Sequence, residues 1–347
     1  MPRPTVARID LEAIRHNYRL AASMAGQAGA MAVIKADGYG HGIGPVAEAL
    51  GGEARRFAVA CIEEAQRIRE QGLAQPVVLL QGVHQADDLG VCASQGFEPV
   101  IHSPGQLAWM KAAPVPAYWL KVNTGMNRLG FRPAELADVV EQLSCTGCRE
   151  RLLGFVTHFA CADDTGHPMT AEQTCVFEQA TAPWPHLMRS VGNSAAHFRP
   201  GQPLFDWSRP GIMLYGGSPL EGKTGPELGL KPAMTLQAPL IATRTLQPGE
   251  SVGYGASWTA ERETPMGMVA IGYGDGYPRH AGTGTPAAIN GQRVRLLGRV
   301  SMDMLAVDLS QAPDAREGDI VELWGPTVSV DEVANHAGTI GYELLTG

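Results

Sequence analysis

No apolar run in this 347-residue chain approaches the roughly 18 residues needed to cross a bilayer, so no membrane span is expected. The opening stretch, Met1–Asp10, lacks an apolar signal core, which makes the cytoplasm the expected address. Positive charge is in deficit, with 27 Lys and Arg against 35 Asp and Glu and a net charge of −8. Such a balance offers no field to gather phosphates, and nucleic acid is excluded as a bulk partner. Cysteine is scarce: Cys61, Cys92, Cys145, Cys148, Cys161 and Cys175 do not form the framework of a small secreted scaffold. What is present is ordinary globular composition, 44% hydrophobic and 18% charged, which excludes a disordered chain. The length suggests about two domains.

Two motifs have spacing without context. Cys145-Thr146-Gly147-Cys148 has zinc-knuckle or redox spacing, but no second such pair completes a tetrahedral site, and no metal is expected. Gly217–Thr224 matches the phosphate-loop pattern GxxxxGK[ST]. That chemistry needs a helix to begin at the lysine, whereas Gly225, Pro226 and Gly229 follow. A chance match in a surface loop is the reading adopted.

Along the chain, an amphipathic helix opens with Asp10 as N-cap and Leu11, Ile14 and Tyr18 on one face. Short apolar runs then recur at 31–36, 57–61, 77–81, 98–101, 117–123, 152–158, 187–192 and 208–214. Helix-like segments such as 63–71, 85–94, 103–112 and 133–143 separate most of them. Eight strands alternating with helices predict a (β/α)8 barrel over residues 1–231 rather than an open doubly wound sheet. Past about residue 232 the runs 236–246, 251–259, 266–273, 287–300, 304–309 and 319–324 read as successive strands, with Asn290-Gly291 as a hairpin turn. Residues 232–347 are thus expected to form a C-terminal β-rich domain, reached through the glycine- and proline-rich stretch 216–232.

Such barrels place their active sites at the carboxyl ends of the strands. The first strand ends in Val33-Ile34-Lys35-Ala36. A lysine there either reaches solvent or, if desolvated, carries a neutral amine able to form a Schiff base with an aldehyde. The glycines of the next turn, Asp37–Gly42, permit close backbone approach to a ligand, and the Tyr39 hydroxyl can donate to a phosphate. Lys121 and Asn123 close the fifth strand, with Arg128 in the loop beyond; His158 ends the sixth, Asn193-Ser194 follow the seventh, and Arg209 with Gly211 mark the eighth. Polar groups at five ends of one mouth constitute a candidate site.

These residues carry a resemblance. Ala32–Gly42 resembles the pyridoxal-phosphate lysine motif of alanine racemases. Lys121–Gly130, Thr157–Phe159, Asn193–Ala195, Arg209–Gly216, Val252–Gly255, Gly272–Gly276 and Ser301–Asp303 resemble that family in the same order, from about residue 5 to the end of the chain. The resemblance implies that Lys35 holds pyridoxal phosphate and acts as acid or base on the D-alanine side of the substrate α-carbon. It implies that Tyr254 serves the opposite face from the other subunit of a head-to-tail homodimer. Met302 and Asp303 are implied to come from the partner copy too, with Met302 and Arg128 meeting the substrate carboxylate. Tyr39, Ser194, Gly211, Ile212 and Tyr342 are implied to bind the cofactor phosphate, and Tyr273 to gate substrate entry. Arg209 is implied to face the pyridine nitrogen, and His158 with Arg209 to stabilise a Tyr254 phenolate. Lys121 corresponds to a lysine that many members carbamylate, which orients the arginine matching Arg128. Asn123 stands where many members have Asp, and Ser301 where several have Cys.

Racemisation supplies the reason for these types: a proton must leave one face of a carbon and arrive on the other, which needs two opposed acid–base groups. A broad-specificity racemase and a barrel-class decarboxylase use the same cofactor. The former usually carries an export signal and the latter lacks the opposed tyrosine. A non-catalytic pyridoxal-phosphate carrier resembles only the barrel half.

Overall fold

The computed structural model describes residues 4–111, 114–145 and 148–347, which divide into two compact units. One unit comprises Arg15–Leu214 and Pro219–Glu221; the other comprises Tyr215–Ser218, Gly222–Gly347 and the start of the chain through Ile14. Among the described residues no helix is long and apolar enough to cross a membrane.

The chain enters through strand β1 (Val6–Ile9) and helix Leu11–Ala25, whose start is capped where the Asp10 carboxylate accepts the N–H groups of Glu12 and Ala13. In the first-named unit the sheet runs through β2 (Gly29–Ala30), β3 (Ala32–Val33), β4 (Phe57–Val59), β5 (Val77–Leu79), β6 (Phe97–Ile101), β7 (Tyr118–Lys121), β8 (Leu152–Val156), β9 (Met188–Ser190) and β10 (Trp207–Ser208). All pairings are parallel, in the order β2-β10-β9-β8-β7-β6-β5-β4-β3. Because β2 and β3 are consecutive pieces of one segment, pairing β10 on one side and β4 on the other closes the ring. The ring is therefore the eight-stranded barrel expected, its first strand interrupted at Met31. Helices Ile43–Leu50, Ile62–Glu70, Asp88–Gln95, Pro104–Met110, Leu136–Cys145 and Met169–Thr181 alternate with the strands.

At the amino ends of the strands, Arg56 and Glu98 form a buried two-pronged ion pair, with Nε to Oε2 at 2.9 Å and Nη2 to Oε1 at 2.8 Å. The Trp119 indole N–H donates to the same carboxylate at 2.9 Å, and the guanidinium lies 4.6 Å from the Trp207 ring centroid. Charge, hydrogen bonds and aromatic faces thus stopper the barrel floor, at the opposite end of the strands from Lys35.

In the other unit, β11 (Met234–Leu246), β12 (Ser251–Val252), β13 (Trp258–Thr259), β14 (Thr264–Val269), β15 (Pro286–Ile289), β16 (Gln292–Leu297), β17 (Leu305–Asp308) and β18 (Ile320–Trp324) are antiparallel. The main sheet has the order β1-β11-β14-β17-β16-β15-β18, and β18 returns to pair with β11. Asn290 (φ 51°) and Gly291 (φ 76°) make the β15–β16 hairpin turn in the left-handed region, as the Asn-Gly pair predicts. Two short helices, Val330–Ala337 and Gly341–Thr346, follow the strands. Asp331, in the first, accepts the Ser218 N–H at 3.0 Å and the Gly225 N–H at 2.8 Å. Glu227 accepts from the Thr224 N–H and hydroxyl. The phosphate-loop look-alike is accordingly a turn held by carboxylates from outside it, Asp331 and Glu227. The Cys145–Cys148 motif falls partly outside the described residues; Cys148 itself is buried.

Removing one partner of a buried ion pair leaves the other charge uncompensated, at a cost of about 3–5 kcal/mol. Glu98→Ala is expected to lose about 3 kcal/mol of unfolding free energy, read from urea denaturation. A change below about 1 kcal/mol would show that the floor ion pair does not hold the barrel.

Candidate active site

Parallel closure aims every strand's carboxyl end at one mouth, and the residue types singled out above for that unit lie there. Lys35 follows β3. Burial pulls its ammonium below the usual lysine range, and the Arg128 guanidinium pulls it further. The chain then makes an unusual turn: Ala36, Asp37, Gly38, Tyr39 and Gly40 all have positive φ, between 51° and 76°. For residues with a Cβ this conformation costs roughly 1–2 kcal/mol each, so the turn is held rather than relaxed. Its consequence is placement of Tyr39. A Cβ at Gly211 would fall 2.5 Å from the Tyr39 hydroxyl oxygen, so only glycine admits that phenol. The Gly211 N–H donates to Ser194 Oγ at 2.8 Å, and Ile212 is buried directly after it. Burial pushes the Tyr39 phenol up, keeping it a neutral donor.

Arg209 is buried among oxygens. Nη1 donates to Ser190 Oγ at 2.5 Å; Nη2 donates to the carbonyls of Thr157 at 2.5 Å and Val191 at 3.3 Å, and to His158 Nδ1 at 3.3 Å. Burial lowers it to about 10, which still leaves it protonated at neutral pH. Since a guanidinium cannot accept, His158 Nδ1 is the acceptor and its proton sits on Nε2. Burial, then Lys121, Arg209, Arg128 and Lys35, drive His158 well below the usual histidine range. The cation of that pair is Arg209; His158 is neutral. Lys121, at the end of β7, is likewise driven far down by burial, then by Arg209 and Arg128.

The loop bearing Arg128 is folded by its own backbone. Asn123 N–H donates to the Phe131 carbonyl at 2.8 Å, Phe131 N–H to the Lys121 carbonyl at 2.9 Å, and Asn123 Oδ1 accepts the Asn127 N–H at 3.0 Å. The Asn123 oxygen is an acceptor, a part that an aspartate can also take, while its Nδ2–H donates to Asn127 Oδ1 at 3.1 Å, which an aspartate cannot.

The other unit carries the remaining candidates. Tyr254 stands on a one-turn 3-10 segment, Tyr254–Ala256, after Gly253 (φ 71°), and is 74% exposed. The Tyr273 N–H donates to the Ser301 carbonyl at 3.0 Å and the Gly274 N–H to the Met302 carbonyl at 2.8 Å, which gathers Tyr273, Met302 and Asp303 into one patch. Tyr342 lies in the last helix.

Sequence reasoning missed the residues that hold these groups. Ser190 fastens Arg209, and buried Gln173 ties two strand-end loops together by donating to Thr124 Oγ1 and to the His158 carbonyl. Neither residue type announces such a role; only its distance from a strand end hints at it.

A carbonyl-bearing anion suits this mouth. The amine has lost water, the glycine, serine and tyrosine form a cradle in which no Cβ fits, and a guanidinium completes the polar wall. That combination defines a barrel enzyme of the pyridoxal-phosphate class. Comparison with known proteins agrees: the alanine racemase N-terminal domain family matches residues 9–219 and the alanine racemase C-terminal domain family residues 233–347. The chain belongs to the alanine racemase family, whose members depend on pyridoxal phosphate.

The alanine racemase of Marinobacter nauticus is 72% identical over 347 residues, spanning 100% of this chain and 97% of that one. The crystal structure of biosynthetic alanine racemase from Pseudomonas aeruginosa superposes with TM-score 0.95 at 48% identity, covering 99% and 96% of the two chains. Alanine racemase from Bartonella henselae with covalently bound pyridoxal phosphate gives TM-score 0.87 at 30% identity, covering 99% and 97%.

Gly211→Ala is expected to weaken pyridoxal phosphate binding at least tenfold (about 1.4 kcal/mol) by displacing the Tyr39 hydroxyl. Equilibrium titration of the cofactor-free protein checks this. Unaltered affinity would remove Tyr39 and Gly211 from the cradle.

Proposed function

We propose that this racemase interconverts L- and D-alanine by two opposed acid–base groups, Lys35 on one face of the substrate and Tyr254 from a partner copy on the other. The observation that carries the reading is the desolvated Lys35 amine at the mouth of a parallel barrel, beside the Tyr39–Ser194–Gly211 cradle. Pyridoxal phosphate, bound at Lys35, supplies the electron sink that makes the α-hydrogen acidic. Tyr39, Ser194, Gly211, Ile212 and Tyr342 would hold its phosphate, and Arg209 would serve its ring nitrogen. A guanidinium cannot hand over a proton there, which keeps the sink weak and suppresses side reactions.

Within the chain's own residues, Lys35 Nζ removes or returns a proton at the α-carbon, its neutral state favoured by burial and by Arg128. Tyr254 Oη does the converse. With a reference value near 10, a phenol is a poor base until a cation stabilises its anion, and Arg209 acting through the neutral His158 supplies one. Arg128 and the Met302 backbone N–H receive the substrate carboxylate, Asp303 lines the substrate end, and Tyr273 gates entry. Residues 1–231 form the domain that binds cofactor and residues 232–347 the domain that serves the partner's site.

Exposure supports the homodimer: Tyr254 and Met302, 74% and 55% exposed, are large side chains awaiting cover in the unit that bears them. Buried thiols such as Cys92 and Cys148 suit a reducing, cytoplasmic compartment. Lys121 is read as carbamylated: its amine, its charge disfavoured by burial and by Arg209 and Arg128, adds in its neutral form to carbon dioxide and releases one proton, so an anion stands beside Arg128.

Given pyridoxal phosphate and L-alanine, the purified protein is expected to generate D-alanine up to the equal mixture. Tyr254→Phe is expected to lower kcat by about 10²-fold or more, the range for a general acid–base group. Chiral analysis of the products measures both. Full activity in both directions for Tyr254→Phe would refute the two-base reading.

A further inference from the structure

The left-handed turn after Lys35 has an anchor in Glu64, which no motif singles out. Glu64 lies in the first turn of helix Ile62–Glu70, directly after β4. One oxygen, Oε1, accepts the Ala36 N–H at 2.6 Å; the other, Oε2, accepts the Ala60 N–H at 2.8 Å. A single carboxylate therefore clasps two adjacent strand ends, one of them at the peptide immediately following the lysine. Within the turn, the Gly38 N–H donates to the Ile34 carbonyl and the Gly40 N–H to the Ala36 carbonyl, both at 2.9 Å; further along, the Ile43 N–H donates to Asp37 Oδ1 at 3.0 Å, and Arg67 pairs with Asp37 at 2.7 Å on the exposed side. The backbone bonds close the turn on itself and the exposed ion pair contributes little, so Glu64 is the side chain that ties the peptide after Lys35 to the neighbouring strand end.

We propose that Glu64 is a positioning residue for Lys35: by holding the Ala36 and Ala60 N–H groups together, it aims the amine into the barrel mouth and sets how readily that amine condenses with the cofactor aldehyde. The proposal rests on the pyridoxal phosphate reading of Lys35. In the condensation the amine nitrogen forms a bond to the aldehyde carbon, and the carbonyl oxygen leaves as water with the two nitrogen protons. An amine swung out of the mouth loses that reaction while the phosphate cradle stays, because Ser194 and Gly211 lie at other strand ends and the turn bearing Tyr39 is also closed by its own backbone bonds. The Glu64 charge works against its geometry, since it raises the lysine where burial and Arg128 lower it and so favours the ammonium over the neutral amine; slower imine formation in a Glu64 variant therefore reports lost positioning and not lost charge.

The test uses the full chain freed of cofactor and two ligands. Pyridoxal phosphate reports phosphate binding and imine formation together, through visible absorbance and borohydride trapping on Lys35. Pyridoxamine phosphate, lacking the aldehyde, reports the cradle alone. Glu64→Gln sets an amide N–H against a backbone N–H, and Glu64→Ala removes both acceptors. Each is expected to slow imine formation and weaken pyridoxal phosphate binding by about tenfold, with pyridoxamine phosphate affinity held within about twofold. Glu64→Asp, one methylene shorter and able to reach one N–H, should fall between. Unchanged imine formation in Glu64→Ala, or equal losses for both ligands, would overturn the proposal. A wild-type protein that traps no cofactor at position 35 would instead overturn the reading of Lys35 itself.

Discussion

A guanidinium buried in a barrel mouth must find oxygens for its N–H groups, and everything around it must accept its charge. Arg209 finds Ser190 Oγ and the carbonyls of Thr157 and Val191, which keep it protonated after water has gone. Burial lowers the titratable groups around it, and the cations add to this: Arg209 acts on His158 and Lys121, which are driven far down, and Arg128 acts on Lys35. One fixed cation among several titratable ones is a way of making neutral amines at a pH where lysine in water is charged. The electrostatics of the mouth follow from burying several cations together.

Geometry enforces the crowding. In a closed parallel barrel each strand delivers its last side chain to the same rim, so Lys35, Lys121, His158 and Arg209 converge although scattered over the chain. The opposite rim has the contrary solution. Arg56 meets a carboxylate, Glu98, and two aromatic faces, so its charge is matched locally. Matched charge makes an inert floor; unmatched charge makes a reactive mouth.

The legible part of the fold was the part written in periodicity. Eight apolar runs and the helices between several of them gave the barrel, and Asn290-Gly291 gave a hairpin. Helix Ile43–Leu50 was not legible, because Gly44 and Pro45 in its first turn read as a loop, and Met169–Thr181 lacks a clear apolar stripe. The pairing of β1 with β11 joins segments far apart in sequence, which no local pattern encodes. At the site, charged and aromatic residues at strand ends were visible by type. Ser190, Gln173 and Glu64 were not, since they act by what they hold, and a serine or a helix-start glutamate is commonplace elsewhere.

The two proposed acid–base groups, Lys35 and Tyr254, differ in a way that bears on assembly. Lys35 has its acidity set inside the unit that carries it, by burial and by Arg128. Tyr254 is 74% exposed on its own unit. In the proposed homodimer, one event gives that phenol both a low-dielectric surrounding and a cation. Burial alone would raise a phenol, as it does for Tyr39 and Tyr277, so only the cationic mouth of another copy can turn cover into acidity. Association and catalytic competence are then the same step, and a monomer can hold cofactor at Lys35 while lacking the second face of the reaction.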